Sequence, residues 1–387
     1  MTQFIHLNPP AREWSRHESG AATDTSAVLA FHKTIPDYNE TKLHSLPDLA
    51  AELGLGHVLL KDESNRFGLP AFKILGASWA VYRAVGSHLG LPAAAAESGD
   101  DVPPFAEVGA RARGAGVRVV TLTEGNCGRA VARMATGHMG VPTRVYVPGF
   151  MDEATRDRIR GEGAEVVAVD GSYDDIIPVA LREARAEENS ILVMDVGVEG
   201  CDEAVPRYFV EGYGTMFAES DRQTLDLTGG KPATHAVVPV GAGSVGEAVT
   251  AHYKSSGRKK ESGSTTILAV EPTTAACLFQ SLKAGQSVSV PTGDTIMCGM
   301  NCGTLSTSAW PVLRDGVDAG VAVTDREAHD AVQDLKARGI LAGPCGAATL
   351  AALRRACKDT RQELGLDESS VVVLYCTEGQ REYPIPS

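Results

Sequence analysis

The sequence is poor in aromatic residues and lacks the patterns of several protein classes. Only 5% of its 387 residues are aromatic, and no run of about 18 apolar residues is present, so we expect no membrane-spanning helix. The first residues, MTQFIHLNPPAREWSRHES, do not show the basic, apolar and small-residue segments of a secretory signal. We therefore expect a cytoplasmic protein.

Cysteine, histidine and basic residues are also arranged in ways that exclude certain sites. The eight cysteines form no Cys-x-x-Cys pair, and the ten histidines show no His-x-His or His-x-x-x-His spacing. This argues against a disulfide framework and predicts no metal centre. Acidic residues outnumber basic ones by 49 to 36, giving a net charge of −13. Without a basic stripe, binding to nucleic acid or to an anionic membrane is not expected.

What the chain does contain is a regular alternation of two segment types. It is 43% hydrophobic, which is enough for a large core, and its length predicts two domains. Amphipathic segments such as Ala154–Arg160, Asp174–Glu187 and Val245–Lys254 separate short β-branched runs. The predicted strands are His57–Leu60, Val117–Leu122, Thr143–Val147, Glu165–Val169, Ile191–Met194, His235–Val240, Thr266–Val270 and Val371–Tyr375. The alternation predicts an α/β fold with parallel sheets whose strands are buried on both faces.

Other stretches interrupt this alternation. Residues 88–116 are rich in Ala, Pro and Gly and are predicted to hold a loose insertion. Residues 255–265 are predicted to form an exposed turn. The first 30 or so residues and the last six are expected to be irregular tails packed on the surface.

Lys73 is the first candidate for chemistry. It lies in the apolar run Pro70–Ala77, directly after the loop KDESNRFGLP. Desolvation in such a run is expected to lower the pKa of the amine and to favour reaction with a carbonyl group. The alternative is a lysine at a helix start that extends its amine into water.

Residues 241–246, Gly-Ala-Gly-Ser-Val-Gly, are the second candidate, and we call them the phosphate loop. They follow a predicted strand and lead into a predicted helix, so glycines permit a tight turn and N–H groups at the helix start attract an anion. No Gly-Lys-Ser/Thr follows, and the loop is not in a first βα unit, where a dinucleotide fingerprint belongs. An ordinary strand-to-helix turn is the alternative.

Two further strand ends carry small polar side chains. Asn126 lies between glycines in Thr123–Arg129, which we call the Asn loop, and Thr377 follows the strand at Val371–Tyr375. Ligands of open α/β sheets bind at the carboxyl ends of strands. The alternative for Asn126 is a helix N-cap.

Taken together, these four features resemble the fold-type II pyridoxal-phosphate enzymes, which include serine and threonine dehydratases, cysteine synthases and the tryptophan synthase β chain. Longer stretches resemble the diaminopropionate ammonia-lyases within that superfamily. They are SLPDLAAELGLGHVLLKDESNRFGLPAFKILGAS, TLTEGNCGRAVA, MDVGVEGCDEAVPRYFVEGYGTM, AVEPTTAACLFQSLKAGQ and DTIMCGMNCGTLSTSAWPVLRD.

The resemblance implies an architecture. It implies a two-domain, tryptophan synthase β-like α/β fold, with parallel or mixed sheets and helices on both faces. Residues 1–81 and 193–387 would form a large cofactor-binding domain, and residues 82–192 a small mobile domain that carries the Asn loop. The cofactor would lie in the cleft between them. Relatives of this kind are mostly homodimers, which is the expectation here.

The resemblance also implies how pyridoxal 5'-phosphate is bound. Lys73 would form the covalent link to the cofactor, Asn126 would hydrogen-bond the ring hydroxyl, and Thr377 would face the pyridine nitrogen. The backbone N–H groups of the phosphate loop would bind the phosphate, which involves Gly241, Ala242, Gly243, Ser244 and Val245. A neutral hydroxyl does not keep the ring nitrogen protonated as a carboxylate would. This disfavours transamination and favours β-elimination or β-replacement.

The implied activity is α,β-elimination on a β-substituted amino acid, giving a 2-oxo acid and ammonia. Glu124 and Asp195 hold the positions of two aspartates in the active site of the ammonia-lyases. Either would bind a β-ammonium group or relay a proton, and Glu124 would also serve as base for a D-configured substrate. The partner would be a small amino acid.

Departures from the family pattern leave the identity of the substrate open. The ammonia-lyases typically have Asp-Gly-Asn-His-Gly where this chain has residues 124–128, Glu-Gly-Asn-Cys-Gly, and residues 195–201 and 343–348 also differ. A β-replacement synthase making a β-substituted alanine and a serine or threonine dehydratase stay open as alternatives. A non-catalytic cofactor-binding protein is disfavoured because Lys73 is retained.

Cys277 and Cys302 fall in segments that resemble the family's entrance region, and two reduced buried thiols are favoured there over a redox-sensitive pair.

Overall fold

The computed structural model describes residues 4–16, 25–91, 103–123, 125–171, 173–199 and 203–386. The chain divides into two compact units. The first comprises Met1–Ala22, Asn39–Phe72 and Met216–Ser387, and the second comprises Thr23–Tyr38 and Lys73–Thr215. The predicted small domain, residues 82–192, falls within the second unit, which also includes residues 73–81 and 193–215. The mobility of that domain stays a prediction.

Helices and strands alternate along the described chain, as the sequence predicts. The strands are β1 (Ile5–Leu7), β2 (Leu43–Ser45), β3 (His57–Asp62), β4 (Arg118–Leu122), β5 (Thr143–Pro148), β6 (Glu165–Val169), β7 (Ser190–Leu192), β8 (His235–Pro239), β9 (Thr266–Pro272), β10 (Ala319–Val323) and β11 (Val371–Cys376). The helices are α1 (Thr25–Thr34), α2 (Pro47–Leu53), α3 (Lys73–His88), α4 (Phe105–Gly114), α5 (Asn126–Ala132), α6 (Glu153–Arg160), α7 (Tyr173–Ala186), α8 (Ala204–Gly212), α9 (Gly214–Thr228), α10 (Ser244–Tyr253), α11 (Ser256–Ser262), α12 (Cys277–Ala284), α13 (Ala309–Gly316), α14 (Asp325–Ala337), α15 (Pro344–Asp359) and α16 (Arg361–Leu364).

The first unit is built on a seven-stranded sheet with the order β1-β10-β9-β8-β11-β3-β2. The five central strands are parallel, and the two short edge strands run antiparallel to their neighbours. Every residue of β8, β10 and β11 is buried, as expected for strands covered by helices on both faces. Parallel strands bring their carboxyl ends to one edge, so the loops after β3, β8, β9 and β11 emerge on the same side.

The second unit contains a four-stranded parallel sheet with the order β6-β5-β4-β7. Its two central strands are almost wholly buried, whereas β6 lies at the edge and is partly exposed. The prediction of burial on both faces is therefore wrong for Glu165–Val169, and also for Ile191–Met194, because β7 lies at the other edge and is only partly buried. Glu165 instead pairs with Arg144 on β5 at 2.9 Å. A π-helical segment, Arg133–His138, continues α5.

All eight predicted strands are present, and the expected α/β fold with two sheets is confirmed. The errors lie where local sequence signals are weak. Within the expected N-terminal tail, β1 finds hydrogen-bond partners on β10. The predicted turn at residues 255–265 contains α11, which is fixed because Arg258 pairs with Asp221. The insertion at residues 88–116 contains α4. Strand β10, Ala-Gly-Val-Ala-Val, was not predicted because alanine and glycine are poor strand formers.

Close helix packing in the second unit depends on two glycines. A Cβ atom on Gly76 of α3 would lie 2.7 Å from the Tyr213 ring and 2.8 Å from the Phe209 ring. A Cβ atom on Gly212, at the end of α8, would lie 2.5 Å from the Leu75 carbonyl oxygen. Only glycine at both positions lets α8 approach the first turn of α3 this closely. Within the described ranges, no helix is both long and apolar enough to cross a membrane.

We predict that Gly76→Ala lowers the free energy of unfolding by about 1–3 kcal/mol, because the added methyl group overlaps two rings in a packed core. Gly86→Ala is the matched control on the same helix, since nothing lies within 4 Å of a Cβ atom there. Alanine's higher helix propensity should leave the control unchanged or up to about 1 kcal/mol more stable. Urea unfolding followed by circular dichroism measures both variants, and equal effects would contradict the packing argument.

Candidate active site

Lys73 is the first residue of α3, and its amine pairs with a carboxylate. The Nζ atom donates a hydrogen bond to Oδ2 of Asp195, three residues beyond the end of β7. The side chain of Lys73 is 23% exposed and that of Asp195 is 12% exposed. The sequence-based alternative, a lysine extending into water, does not describe this geometry. Both residues belong to the second unit, so the pair is formed within one compact body.

The pKa of Lys73 departs from the sequence-based expectation. Burial alone would lower the pKa of the amine, as predicted, but the negative charge of Asp195, its hydrogen bond and the other neighbouring groups together outweigh burial and hold the pKa above its ordinary value. The pKa of Asp195 is correspondingly lowered, because hydrogen bonds and the charge of Lys73 overcome the opposing effect of burial. The expectation failed because the partner lies 122 residues away in the sequence.

The segment that leads to Lys73 is anchored by a buried charge network in the first unit. Arg66 donates to Glu63 at 2.6 Å and to Glu219 at 2.7 Å. Lys61 donates to Glu219 and to the Thr41 carbonyl oxygen, both at 2.8 Å. All four charged side chains are at most 2% exposed. Two positive charges offset two negative ones, and the many hydrogen bonds compensate for the lost hydration.

The residues between Arg66 and Lys73 are also held in place. Phe67 adopts a left-handed conformation with φ of 52°, which is costly for an aromatic residue. Its N–H donates to Oδ1 of Asn39 at 2.7 Å, which holds the turn in place. Phe72, the residue before Lys73, donates its N–H to the Thr377 carbonyl oxygen at 3.2 Å. The backbone preceding the lysine is therefore held at several points.

The Asn loop presents Asn126 at the carboxyl end of β4, as predicted. Asn126 is exposed and begins α5, whereas Thr123 Oγ1 accepts from the N–H groups of Gly125 and Gly128 at 2.9 and 3.0 Å. Thr123, and not Asn126, therefore accepts the hydrogen bonds at the start of α5. The alternative role of Asn126 as a helix N-cap does not apply. The amide of Asn126 is placed where it can meet a ligand. Glu124 lies outside the described residues.

The phosphate loop has a backbone that only small residues allow. A Cβ atom on Gly241 would lie 3.0 Å from the Gly299 carbonyl oxygen, and one on Gly243 would lie 2.9 Å from Cβ of Ala309. Gly243 also has a φ of 113° and immediately precedes α10. The Ala242 carbonyl oxygen accepts from the Ser306 N–H at 2.8 Å. A glycine turn thus leads directly into a helix N-terminus, an arrangement that fits a phosphate group.

Thr377 follows β11 and is buried, on the same sheet edge as the phosphate loop. The next residue, Glu378, is engaged elsewhere. One carboxylate oxygen accepts from the Cys345 N–H at 2.9 Å, at the start of α15, and lies 3.7 Å from Arg381. The strand end therefore offers a neutral hydroxyl, while the nearby carboxylate holds α15.

Cys277 and Cys302 border the phosphate loop. The Cys277 thiol donates to the Gly241 carbonyl oxygen at 3.8 Å, and Cys302 Sγ would lie 3.2 Å from a Cβ atom on Gly241. Both are free thiols in the structure. Burial, and then the charge of Glu271, raises the pKa of the Cys277 thiol. Cys277 is buried as expected, whereas Cys302 is only partly buried, and the reduced state of both thiols stays a prediction.

Two neighbours of the lysine were not assigned a role from the sequence. Tyr213 and Cys127 both contribute to raising the pKa of Lys73, and burial, followed by the charge of Asp195, raises the pKa of the Cys127 thiol. Both lie in stretches that carry the family resemblance, but those stretches do not show which of their residues face Lys73. Among the described residues, no three His, Cys, Asp or Glu side chains are grouped to hold a metal ion.

Comparisons with known proteins show which family the chain is similar to. The family model described as pyridoxal-phosphate dependent enzyme matches residues 35–377. The chain is 33% identical to diaminopropionate ammonia-lyase of Salmonella typhimurium, covering 91% of this chain and 88% of the relative. It is 29% identical to the Escherichia coli K12 counterpart, covering 93% and 90%. A crystal structure of the Escherichia coli enzyme in complex with D-serine superposes with a TM-score of 0.83 at 26% identity, covering 97% of this chain and 93% of the other.

We predict that Asp195→Asn lowers the pKa of Lys73, because the charge that opposes burial is removed and the neutral amine is then favoured. The pH dependence of acetic anhydride labelling of the Lys73 peptide, in ligand-free protein, measures this pKa. Glu211→Gln is the control, since this carboxylate bonds Trp79 and Arg83 instead. An unchanged labelling midpoint in Asp195→Asn would show that the ion pair does not set the lysine pKa.

Proposed function

The chain belongs to the family of pyridoxal-phosphate dependent enzymes, and from this premise we propose that it is an ammonia-lyase acting on 2,3-diaminopropionate. The reaction is an α,β-elimination that yields a 2-oxo acid and ammonia. The observation that carries the proposal is the contact between Lys73 and Asp195, which places an amine able to link to the cofactor beside a carboxylate able to bind an ammonium group. The similarity to two diaminopropionate ammonia-lyases over most of the chain supports it.

Within each unit, residues are present that fit a group of pyridoxal phosphate. In the first unit, the phosphate loop has glycine turns before a helix N-terminus, which suits the phosphate group, and Thr377 offers a neutral hydroxyl for the pyridine nitrogen. In the second unit, Lys73 supplies the amine for the covalent link and Asn126 an amide for the ring hydroxyl. The backbone donors of the loop are those of Gly241, Ala242, Gly243, Ser244 and Val245.

Pyridoxal phosphate, when bound, supplies an electron sink that stabilises negative charge at the Cα atom of an amino acid. Lys73 has two tasks. Its Nζ atom would hold the cofactor, and as a free amine it would take the proton from Cα. Thr377 would present a neutral hydroxyl to the ring nitrogen and would not keep it protonated, which would favour loss of the β substituent over transamination.

Asp195 and Glu124 act on the other end of the substrate. An amine is a poor leaving group until it is protonated, so a group that delivers or retains a proton at the β-nitrogen lowers the barrier. The pKa of Asp195 is held below its ordinary value by hydrogen bonds and by Lys73, which suits a carboxylate that binds the β-ammonium ion. Glu124, in the Asn loop, is proposed as the base for a D-configured substrate.

The assembly and location follow from the same proposal. We propose that the protein is a cytoplasmic homodimer, as expected from the sequence analysis. Size-exclusion chromatography with light scattering tests the assembly, and a monomeric mass would contradict it. Cell fractionation tests the location, and recovery of the protein with membranes or outside the cell would contradict it.

The substrate is tested directly with a panel of amino acids. We predict that purified protein with bound cofactor releases a 2-oxo acid and ammonia from 2,3-diaminopropionate faster than from serine or threonine. Coupled assays for both products measure the rates. Faster turnover of serine or threonine would favour a dehydratase. Inertness towards 2,3-diaminopropionate, with activity on O-acetylserine and a nucleophile, would favour a β-replacement synthase.

We predict that Asp195→Asn lowers turnover of 2,3-diaminopropionate by about 100- to 10,000-fold, because a positioned acid–base group is lost. Turnover of O-acetylserine should fall much less, since acetate leaves without prior protonation. Steady-state rates with both substrates, on the same cofactor-loaded preparations, make the comparison. A similar loss with both substrates would mean that Asp195 supports the fold or the cofactor and not the leaving group.

A further inference from the structure

The carboxylate of Glu271 is buried and has no part in the proposed reaction. Glu271 is the sixth residue of β9 and is 0% exposed. Its Oε1 atom accepts from the Leu278 N–H and its Oε2 atom from the Phe279 N–H, both at 2.7 Å. Both donors lie in the first turn of α12, which begins at Cys277. The carboxylate therefore bonds two N–H groups that a helix start leaves without partners inside the helix, and it fixes that helix start to β9.

Glu271 holds the start of α12 without a cationic partner. Among the described residues, no basic side chain pairs with it, and the donors that hold it are backbone N–H groups. Burial raises the pKa of Glu271 to about 7, and the backbone hydrogen bonds act in the opposite direction. Burying a charge in this way costs free energy. What the ionised side chain gains is two charge-assisted hydrogen bonds at once, one at each oxygen.

Strand β9 and helix α12 both reach the phosphate loop. The Val240 N–H, directly after β8, donates to the Val270 carbonyl oxygen at 2.8 Å. Glu271, the next residue of β9, therefore lies beside the strand end that leads into the loop. The Cys277 thiol donates to the Gly241 carbonyl oxygen at 3.8 Å. Burial, followed by the charge of Glu271, raises the pKa of that thiol, so it keeps the proton that it donates. The start of α12 is thus in contact with the first residue of the loop.

The contact with the Gly241 carbonyl oxygen orients a donor of the loop. In a planar trans peptide unit, the C=O and N–H bonds point in opposite directions. The Gly241 carbonyl shares its peptide unit with the Ala242 N–H, so holding the oxygen against α12 turns that N–H away from the helix. The Ala242 carbonyl oxygen accepts from the Ser306 N–H at 2.8 Å, which orients the Gly243 N–H in the same way. Consecutive N–H groups of the loop are set through their carbonyl partners.

We propose that Glu271 is a positioning residue for the phosphate loop. It fixes the start of α12, and Cys277 at that start holds the Gly241 carbonyl oxygen. The Ala242 N–H is thereby held in its binding orientation before the cofactor arrives. Donors that are already ordered bind more tightly than donors that must first be ordered. This role rests on the proposed function of the loop, whereas the hydrogen bonds themselves do not.

The test compares two forms of the cofactor on full-length protein freed of cofactor. Pyridoxal 5'-phosphate uses the phosphate loop, whereas pyridoxal lacks the phosphate and depends on the link to Lys73. Glu271→Gln keeps the size of the side chain, but its NH2 group cannot accept from an N–H. At pH 8, most of Glu271 is ionised. There the Kd for pyridoxal 5'-phosphate should rise about 5- to 50-fold, and the Kd for pyridoxal less than about twofold. Absorbance titration measures both constants.

Glu327→Gln is the matched control. This carboxylate also accepts a backbone N–H at a helix start in the first unit, that of Thr324 at 2.8 Å in the capping box of α14. The control should leave both dissociation constants unchanged, and thermal unfolding of each variant reports its loss of stability. An equal rise of both constants in Glu271→Gln would show a general loss of structure and overturn the proposal. An unchanged Kd for pyridoxal 5'-phosphate would overturn it as well.

The connection through α12 is tested with a second variant, which also serves if Glu271→Gln does not fold. Cys277→Ala removes the donor to the Gly241 carbonyl oxygen. It should raise the Kd for pyridoxal 5'-phosphate about two- to fivefold and leave that for pyridoxal unchanged, since a thiol is a weak donor. In the double variant, the combined effect should barely exceed the larger single effect, because both changes act on one contact. Full additivity would contradict the connection through Cys277.

The same titrations separate this inference from the proposed function. If the wild-type protein binds pyridoxal as tightly as pyridoxal 5'-phosphate, the assignment of the phosphate loop fails, and the proposed function fails with it. If the wild-type protein prefers pyridoxal 5'-phosphate and Glu271→Gln keeps that preference in full, only the role of Glu271 is refuted.

Discussion

The pairing of a lysine amine with a carboxylate is the interaction on which the proposed chemistry depends. A partly buried ion pair contributes little net stability, because desolvation offsets most of the attraction, whereas losing one partner leaves an uncompensated charge. The proposed reaction requires the Lys73 amine to leave the Asp195 carboxylate in each catalytic cycle. The pKa of Asp195 lies below its ordinary value, so the carboxylate is ionised when a cationic substrate arrives.

The fold determines where this pair is formed. The first turn of α3 accepts α8 at close range because Gly76 and Gly212 carry no side chains. In the first unit, the chain reaches Phe72 through a segment held by the buried network around Arg66. The parallel strands β8 and β11 bring the phosphate loop and Thr377 to one edge of the sheet. Ordinary packing constraints thus place each candidate group.

The sequence predicts much of this because the relevant signals are local. Apolar runs reveal buried parallel strands, and glycines after a strand reveal the phosphate loop. Strand β2, with three residues, and strand β10, rich in alanine, carry no comparable signal. The pKa of Lys73 was predicted in the wrong direction because its partner is distant in the sequence.

The most direct test of the account is to identify the lysine that carries the cofactor. Borohydride reduction of the purified holoenzyme, followed by proteolysis and mass spectrometry, fixes the pyridoxyl group on its lysine. The account predicts the label on Lys73 alone. Lys61 and Lys254 are also buried and paired with carboxylates, at 2.8 Å each. The measurement therefore distinguishes Lys73 from two other buried lysines. A label on either of them, or no label on a protein that is active on the proposed substrate, would contradict the central claim.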